Sequence, residues 1–191
     1  MDKIEYKGHT IKIEQDRDPI NPREDDNVGT MVIFGKYKYI GDKHDYRSPE
    51  ALQEFFDENK DSVVYLPIYL YDHSGITIST SPFSCRWDSG QVGFIYATKA
   101  KVIEEYGAFS REAQEQAKGR LDGEVETCDT YIKGEVYDYT IDGELCDDSC
   151  GGFHGFDWED NGLLEYARNA IDCAINREQE AIEFVNRYFA T

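Results

Sequence analysis

The sequence predicts an α+β fold: an antiparallel sheet packed by helices, with a long C-terminal helix or helix pair. Three stretches predict it. Val63 to Tyr71 is a nearly continuous run of β-branched, aromatic and aliphatic residues, too short for a membrane span and typical of a strand buried on both faces. After the turn residues Asp72, His73, Ser74 and Gly75, Ile76 to Ser81 alternates apolar and hydroxyl side chains, so the two runs read as an antiparallel hairpin with one wetter face. Behind the cap residues Glu159, Asp160 and Asn161, apolar residues recur at helical spacing from Leu163 through Ile171, Ile175 and Ile182 to Phe189, as one helix or as two joined near Arg177.

The remaining elements follow in order. Ile4–Lys7 and Thr10–Ile13 flank Gly8 and His9 as an opening hairpin. Asp16–Gly29, with two prolines and no periodicity, is a loop, and Thr30–Phe34 a short strand. Ser48 and Pro49 start a helix that runs to about Asn59 with Leu52, Phe55 and Phe56 on one face, the serine accepting from free amides and the proline fitting the first turn. Pro67 cannot donate to a ladder and predicts a bulge or an edge position. Val92–Thr98 is a further strand and Lys101–Tyr106 a short helix ended by Gly107. A helix runs from Ser110 to about Leu121, with or without a break at Gly119, and another helical turn follows over Thr127–Lys133. Glu135–Ile141 alternates as a strand, and Asp142-Gly143 turns it into a partner at Glu144–Cys146, followed by a glycine-rich loop or short strand over Asp147–Phe156. At 191 residues the chain is read as one domain, 1–191.

Charge is the strongest compositional fact. The net charge is −19, and it is uneven: residues 1–100 carry 17 acidic and 12 basic side chains, residues 101–191 carry 22 and 8. Between Asp122 and Asp160 there are 13 Asp or Glu against the single Lys133. Such a field disfavours direct contact with a phosphate backbone or an anionic membrane surface and favours basic partners. There is no run of eighteen apolar residues and no basic-then-apolar leader, so the chain is expected in a cytoplasm. Five cysteines at irregular spacing suit reduced thiols there.

Asn21–Met31, containing PREDDNVGTM, together with Leu66–Tyr96, containing PFSCRWDSGQVGFIY, and Glu124–Tyr139 resembles a family of uncharacterised proteins encoded by bacteriophages and integrative elements of bacteria. This chain carries Asp25 and Cys128 where that family more often has aromatic residues. The resemblance implies a context and no activity: an accessory gene of a mobile element, acting in a bacterial host cytoplasm.

Two groups of residues stand out as candidate sites. The first is a polar knot of Asp72, His73, Cys85, Arg86, Trp87 and Asp88. Cys, His and Asp together could form a nucleophilic triad, the thiolate attacking and the imidazole taking its proton. The structural reading has Arg86 paired with Asp88 or Asp72 while Trp87 packs. The second is an acidic belt over about 122–160, comprising Glu124, Glu126, Asp129, Glu135, Asp138, Asp142, Glu144, Asp147 and Asp148, whose spacing along hairpin and turns could imitate duplex phosphates and occupy a Lys/Arg groove.

Metal-binding patterns are weak. Cys146, Cys150 and His154 lack the two-residue zinc knuckle and would need a fourth ligand, for which Asp157 is the candidate. Asp16, Asp18, Asn21, Glu24, Asp25 and Asp26 lack the EF-hand glycine and terminal glutamate. Phosphate-binding glycine loops and hydrolase or kinase signatures are absent from the sequence. The expectation is therefore a non-enzymatic protein without cofactor or metal. It binds a basic, nucleic-acid-binding protein such as a host defence nuclease, in the manner of an anti-CRISPR or anti-restriction nucleic-acid mimic. A cysteine- or metal-dependent enzyme centred on Asp72, His73, Cys85 and Asp88, and a phage structural or assembly protein, are the alternatives.

Overall fold

The structure is a computed structural model that describes residues 1–143 and 145–189, with Phe189 described by its backbone alone. It contains strands β1 (Asp2–Tyr6), β2 (His9–Gln15) and β3 (Thr30–Ile33), helix α1 (Pro49–Glu58), and strands β4 (Val63–Asp72), β5 (Ile76–Ser79) and β6 (Ser89–Thr98). Helices α2 (Lys99–Tyr106) and α3 (Arg111–Lys133), strands β7 (Val136–Ile141) and β8 (Asp148–His154), and helix α4 (Leu163–Phe189) complete it. The fold is α+β, with two antiparallel sheets in place of the single sheet expected. The chain divides into a central unit, Asn21–Lys133, and a flanking unit made of Met1–Ile20 and Gly134–Thr191. Among the described residues no helix is long and apolar enough to cross a membrane.

In the central unit the strand order is β3-β6-β4-β5, and the sheet is covered on both faces. Alternation along β4 directs Val64, Ile68 and Leu70 to one face, where Ala113, Ala117, Leu121, Val125 and Cys128 of α3 meet them. Val63 goes to the other face and joins Val32, Leu52 and Phe56, the last two from α1. Phe56 also stacks on Tyr65 with ring centroids 4.2 Å apart. This two-sided cover accounts for the uninterrupted apolar run. β4 is therefore an interior strand, not an edge, and the ladder irregularity predicted from Pro67 falls one residue later, between Ile68 and Tyr69. Ser48 caps α1 by accepting from the Ala51 amide, as its sequence predicts.

Helix α3 does not break. It runs through Gly119 and Gly123 as one helix of 23 residues, because the alanine and leucine stripe buried against the sheet outweighs the poor helix propensity of two glycines.

The flanking unit is a second sheet, ordered β1-β2-β7-β8, with α4 on one face. Ile11, Ile13, Tyr139 and Ile141 point into that core against Leu163, Ala167 and Ile171. β8 is the partner of β7 and occupies the glycine-rich stretch; the partner expected at Glu144–Cys146 is displaced to Asp148–His154. α4 is a single helix without a join at Arg177.

Candidate functional site

The acid excess is concentrated in the flanking unit, where 19 Asp or Glu against 7 Lys or Arg give a net of −12 in 78 residues. The central unit carries 20 against 13, a net of −7 in 113. Among the described residues of the flanking unit, Lys and Arg pair with carboxylates at only three places: Lys7 with Asp172, Lys12 with Asp142, and Arg168 with Glu159. Most of the excess is thus uncompensated within the unit.

Three carboxylates without ion-pair partners among the described residues converge beside β7. Glu14 on β2 lies directly opposite Asp138 on β7, a cross-strand placement in which like charges repel. The β7–β8 ladder shifts register between Tyr137 and Tyr139, so Asp138 stands at a bulge, a device that re-aims a side chain. Facing it on β8 is Gly151. A Cβ at that glycine would sit 3.5 Å from Asp138 Cβ and 3.5 Å from Asp16 Oδ2, so both acids close over a position without a side chain. Burial first, then the charges of Asp16 and Glu14, push the Asp138 carboxyl above its ordinary value, against the opposing influence of Arg17.

The acidic belt read from the sequence is only partly available for such contact. Glu124 is 6% exposed, the one buried charged residue among the described residues, and it serves the interior of the central unit. Asp129 accepts from the Thr77 hydroxyl at 2.7 Å and the Ile78 amide at 2.8 Å and pairs with Lys133 at 2.6 Å, which fixes β5 to α3. Asp142 is neutralised by Lys12. Asp148 accepts from the buried Tyr139 hydroxyl at 2.8 Å, and this contact together with burial raises the tyrosine pKa. Glu126 and Asp147 are exposed, and Glu135 and Asp138 half-buried. Glu144 lies outside the described residues. Glu14 and Asp16 lie outside the belt read from the sequence, where Asp16 counts instead among the acids of the 16–26 loop, and both belong with Asp138; opposition across the β2–β7 pair was the missing signal.

Glu124 ends in a network that the sequence did not announce. Arg23 donates from Nε and Nη2 to Asp42 at 3.1 and 2.7 Å, from Nη1 to Glu124 at 3.1 Å, and from Nη2 to the Gly29 carbonyl at 2.6 Å. Glu124 Oε1 in turn accepts from the Val28 amide at 2.8 Å. Asp42 Oδ2 accepts from the Met31 amide at 2.7 Å. Burial opposes the Arg23 charge, but the two carboxylates more than restore it, leaving its pKa raised. Gly29 leaves room for this approach: a Cβ there would lie 2.4 Å from Leu121 Cδ2. The network seats the Asn21–Met31 motif on α3 and is structural.

The polar knot assembles, but in a different order from the triad. His73 Nδ1 lies 3.2 Å from Asp88 Oδ2, and Cys85 Sγ lies 3.9 Å from the same oxygen. The Asp88 carboxylate, not the His73 imidazole, is therefore the neighbour of the sulfur, where a triad would need the base. Asp72 turns away to Lys36 at 3.2 Å and to the Tyr37 hydroxyl; the hydroxyl and then Lys36 hold its carboxyl below the usual range. The expected structural role fails for two members. Arg86 is exposed with no carboxylate partner among the described residues, and Trp87 is 95% exposed.

Cys146 is buried in the core of the flanking unit, where burial pushes its thiol up, and Cys150 is half-buried. Among the described residues no group of three or more His, Cys, Asp or Glu is placed to hold a metal ion. In the acidic loop, Asp16 accepts from the Asp18 amide, Asn21 caps the turn at Pro22–Glu24, and Asp26 pairs with Lys101. Compared with protein-family models, curated proteins and solved structures, the chain matches none.

Proposed function

We propose that the chain binds a basic, nucleic-acid-binding protein through the flanking unit, imitating the phosphates that such a protein normally holds. The observation that supports this most directly is the crowding of Glu14, Asp16 and Asp138 at the β7–β8 bulge, with Asp138 raised in pKa and no ion pair among the described residues to relieve it. Like charges placed opposite one another weaken a sheet. A lysine or arginine from a partner would remove that repulsion on binding, so the strain present in the free chain is returned as affinity. The unit's net −12 would guide a cationic surface to it, with association rates that fall as salt is added.

The resemblance to proteins of bacteriophages and integrative elements suggests the class of target. In a bacterial cytoplasm, a mobile-element accessory protein of this charge would meet host defence nucleases, whose DNA or RNA grooves are lined with Lys and Arg. Anti-CRISPR or anti-restriction inhibition is the activity proposed.

The test is capture from a bacterial lysate on the immobilised chain, with elution by salt and by duplex DNA, run beside the Glu14→Gln/Asp16→Asn/Asp138→Asn variant. Recovery of a nucleic-acid-binding protein that both eluents release, and that the folded variant fails to hold, supports mimicry. Retention of the same proteins by the variant, or their indifference to DNA, would sink the idea.

A further inference from the structure

The segment from Gly35 to Arg47 is a basic island in an acidic chain. It carries Lys36, Lys38, Lys43 and Arg47 against Asp42 and Asp45, and Asp42 is already held by Arg23. Lys36 is engaged with Asp72, while Lys38 and Lys43 are exposed and form no ion pair among the described residues. Both line a cleft of about 680 Å³ in the central unit, a volume within the usual range for small-molecule sites. Its other walls include Phe34, Tyr39, His44 and Tyr46. Tyr39 is 69% exposed, an aromatic face open to a planar ring.

His44 is held firmly in the wall of this cleft. Its Nε2 lies 3.3 Å from the Ile33 carbonyl, which can only accept, so Nε2 carries the proton and donates. In the neutral ring Nδ1 is then left as an acceptor. That atom is buried and has no hydrogen-bond partner, the only such side-chain atom among the described residues. The ring is not free to turn toward another donor, because Phe34 meets it edge-on at 5.1 Å and Tyr46 packs at 6.1 Å. A buried acceptor held without a donor is costly, so the packing around the ring is what keeps it there. The backbone of the neighbouring loop is held as firmly. Gly41 passes so close to β3 that a Cβ would lie 2.6 Å from the Met31 carbonyl oxygen, and the Asp42 amide donates to that oxygen at 2.7 Å. These contacts fix the loop that bears Lys38 and Lys43.

We propose that this cleft is a binding site for a nucleoside monophosphate. The ligand's phosphate is met by Lys38 and Lys43, and its base by the aromatic walls, His44 and Tyr39 among them. A single nucleotide is compatible with the charge of the chain where a polymer is not. Its phosphate experiences chiefly the charges within a Debye length of about 10 Å, whereas a duplex would be exposed to the whole acidic surface.

Titration calorimetry of the full chain with AMP, GMP, CMP and UMP, with adenosine and inorganic phosphate as half-ligands, tests this. The expected result is one-to-one binding of at least one monophosphate with Kd below about 1 mM. Each half-ligand should bind at least about tenfold more weakly, and Lys38→Ala/Lys43→Ala should reduce affinity at least about tenfold while the thermal transition is kept. A second readout follows the imidazole: in ¹⁵N spectra the His44 ring resonances should move on addition of the nucleotide, because the ring lines the cleft. Absence of binding at millimolar nucleotide overturns the proposal. So does binding that survives loss of both lysines, or that leaves the His44 ring resonances unmoved.

Discussion

A buried glutamate needs donors on every side, and Glu124 has them. Arg23 Nη1 reaches one oxygen, the Val28 and Gly29 amides reach the carboxylate from the loop, and Arg120 lies 3.5 Å away along the helix. No partner accepts. Glu124→Gln keeps the shape but points an amide NH₂ at groups that only donate, leaving Arg23 with one counter-charge. The expected loss is about 3 kcal/mol, the scale for breaking a buried ion pair from one side. Urea denaturation reads it as a lower midpoint, and a loss below about 1 kcal/mol would mean that the Arg23–Asp42 pair alone holds the loop. Asp138 is the opposite case. Its folded pKa is raised above the ordinary 3.8, so between those values the folded chain keeps a proton that the unfolded chain has released. Stability contributed by that proton is present at acid pH and is lost as pH rises through the folded pKa. Asp138→Asn should therefore stabilise the chain at neutral pH by about 0.5 kcal/mol and flatten the slope above the ordinary carboxylate value. Parallel pH–stability curves for the two proteins would show that the repulsion is not felt.

At the scale of elements, α3 is the helix whose reading failed and whose repair is measurable. Gly119 and Gly123 sit inside it, and a Cβ at either would meet nothing within 4 Å. With ample room, alanine removes only backbone freedom from the unfolded chain, so Gly119→Ala and Gly123→Ala should each add about 1 kcal/mol to thermal or urea stability. A decrease would mean that something outside the central unit's own packing uses that gap. The same helix shows how far the sequence could be read. Its buried positions, Ala113, Ala117, Leu121, Val125 and Cys128, recur at helical spacing, and Glu124 falls on that stripe. Ending the helix at about Leu121 hides the period and leaves Glu124 in the surface belt. Strand β4 was legible because burial on two faces leaves a local trace in composition. The cluster at Asp138 was not, because Glu14 lies far along the chain and only the β2–β7 register brings them together. Nor was the exposure of Trp87, since a tryptophan in sequence predicts packing and only the tertiary fold shows that nothing covers this one.

For the whole molecule, a net of −19 acts on folding and on recognition with opposite signs in salt. Self-repulsion destabilises the folded state because folding brings the acids closer together than they are in the extended chain. Raising NaCl from about 0.02 to about 0.2 M shortens the Debye length from roughly 20 Å to roughly 7 Å. Surface acids then cease to feel distant neighbours, whereas the enclosed Arg23 network is screened much less. The thermal midpoint should rise by a few degrees over that range, with the larger gain in the unit that carries −12 in 78 residues. Capture of a basic partner should weaken over the same range, because the attraction that draws the two surfaces together is screened in the same way as the repulsion within one. Opposite slopes from one variable distinguish an acidic recognition surface from one that merely keeps the chain dispersed. A midpoint that does not respond to salt would mean that the excess acids are already too far apart, or too well hydrated, to repel one another, and the crowding at Asp138 would then be a local matter without a partner to relieve it.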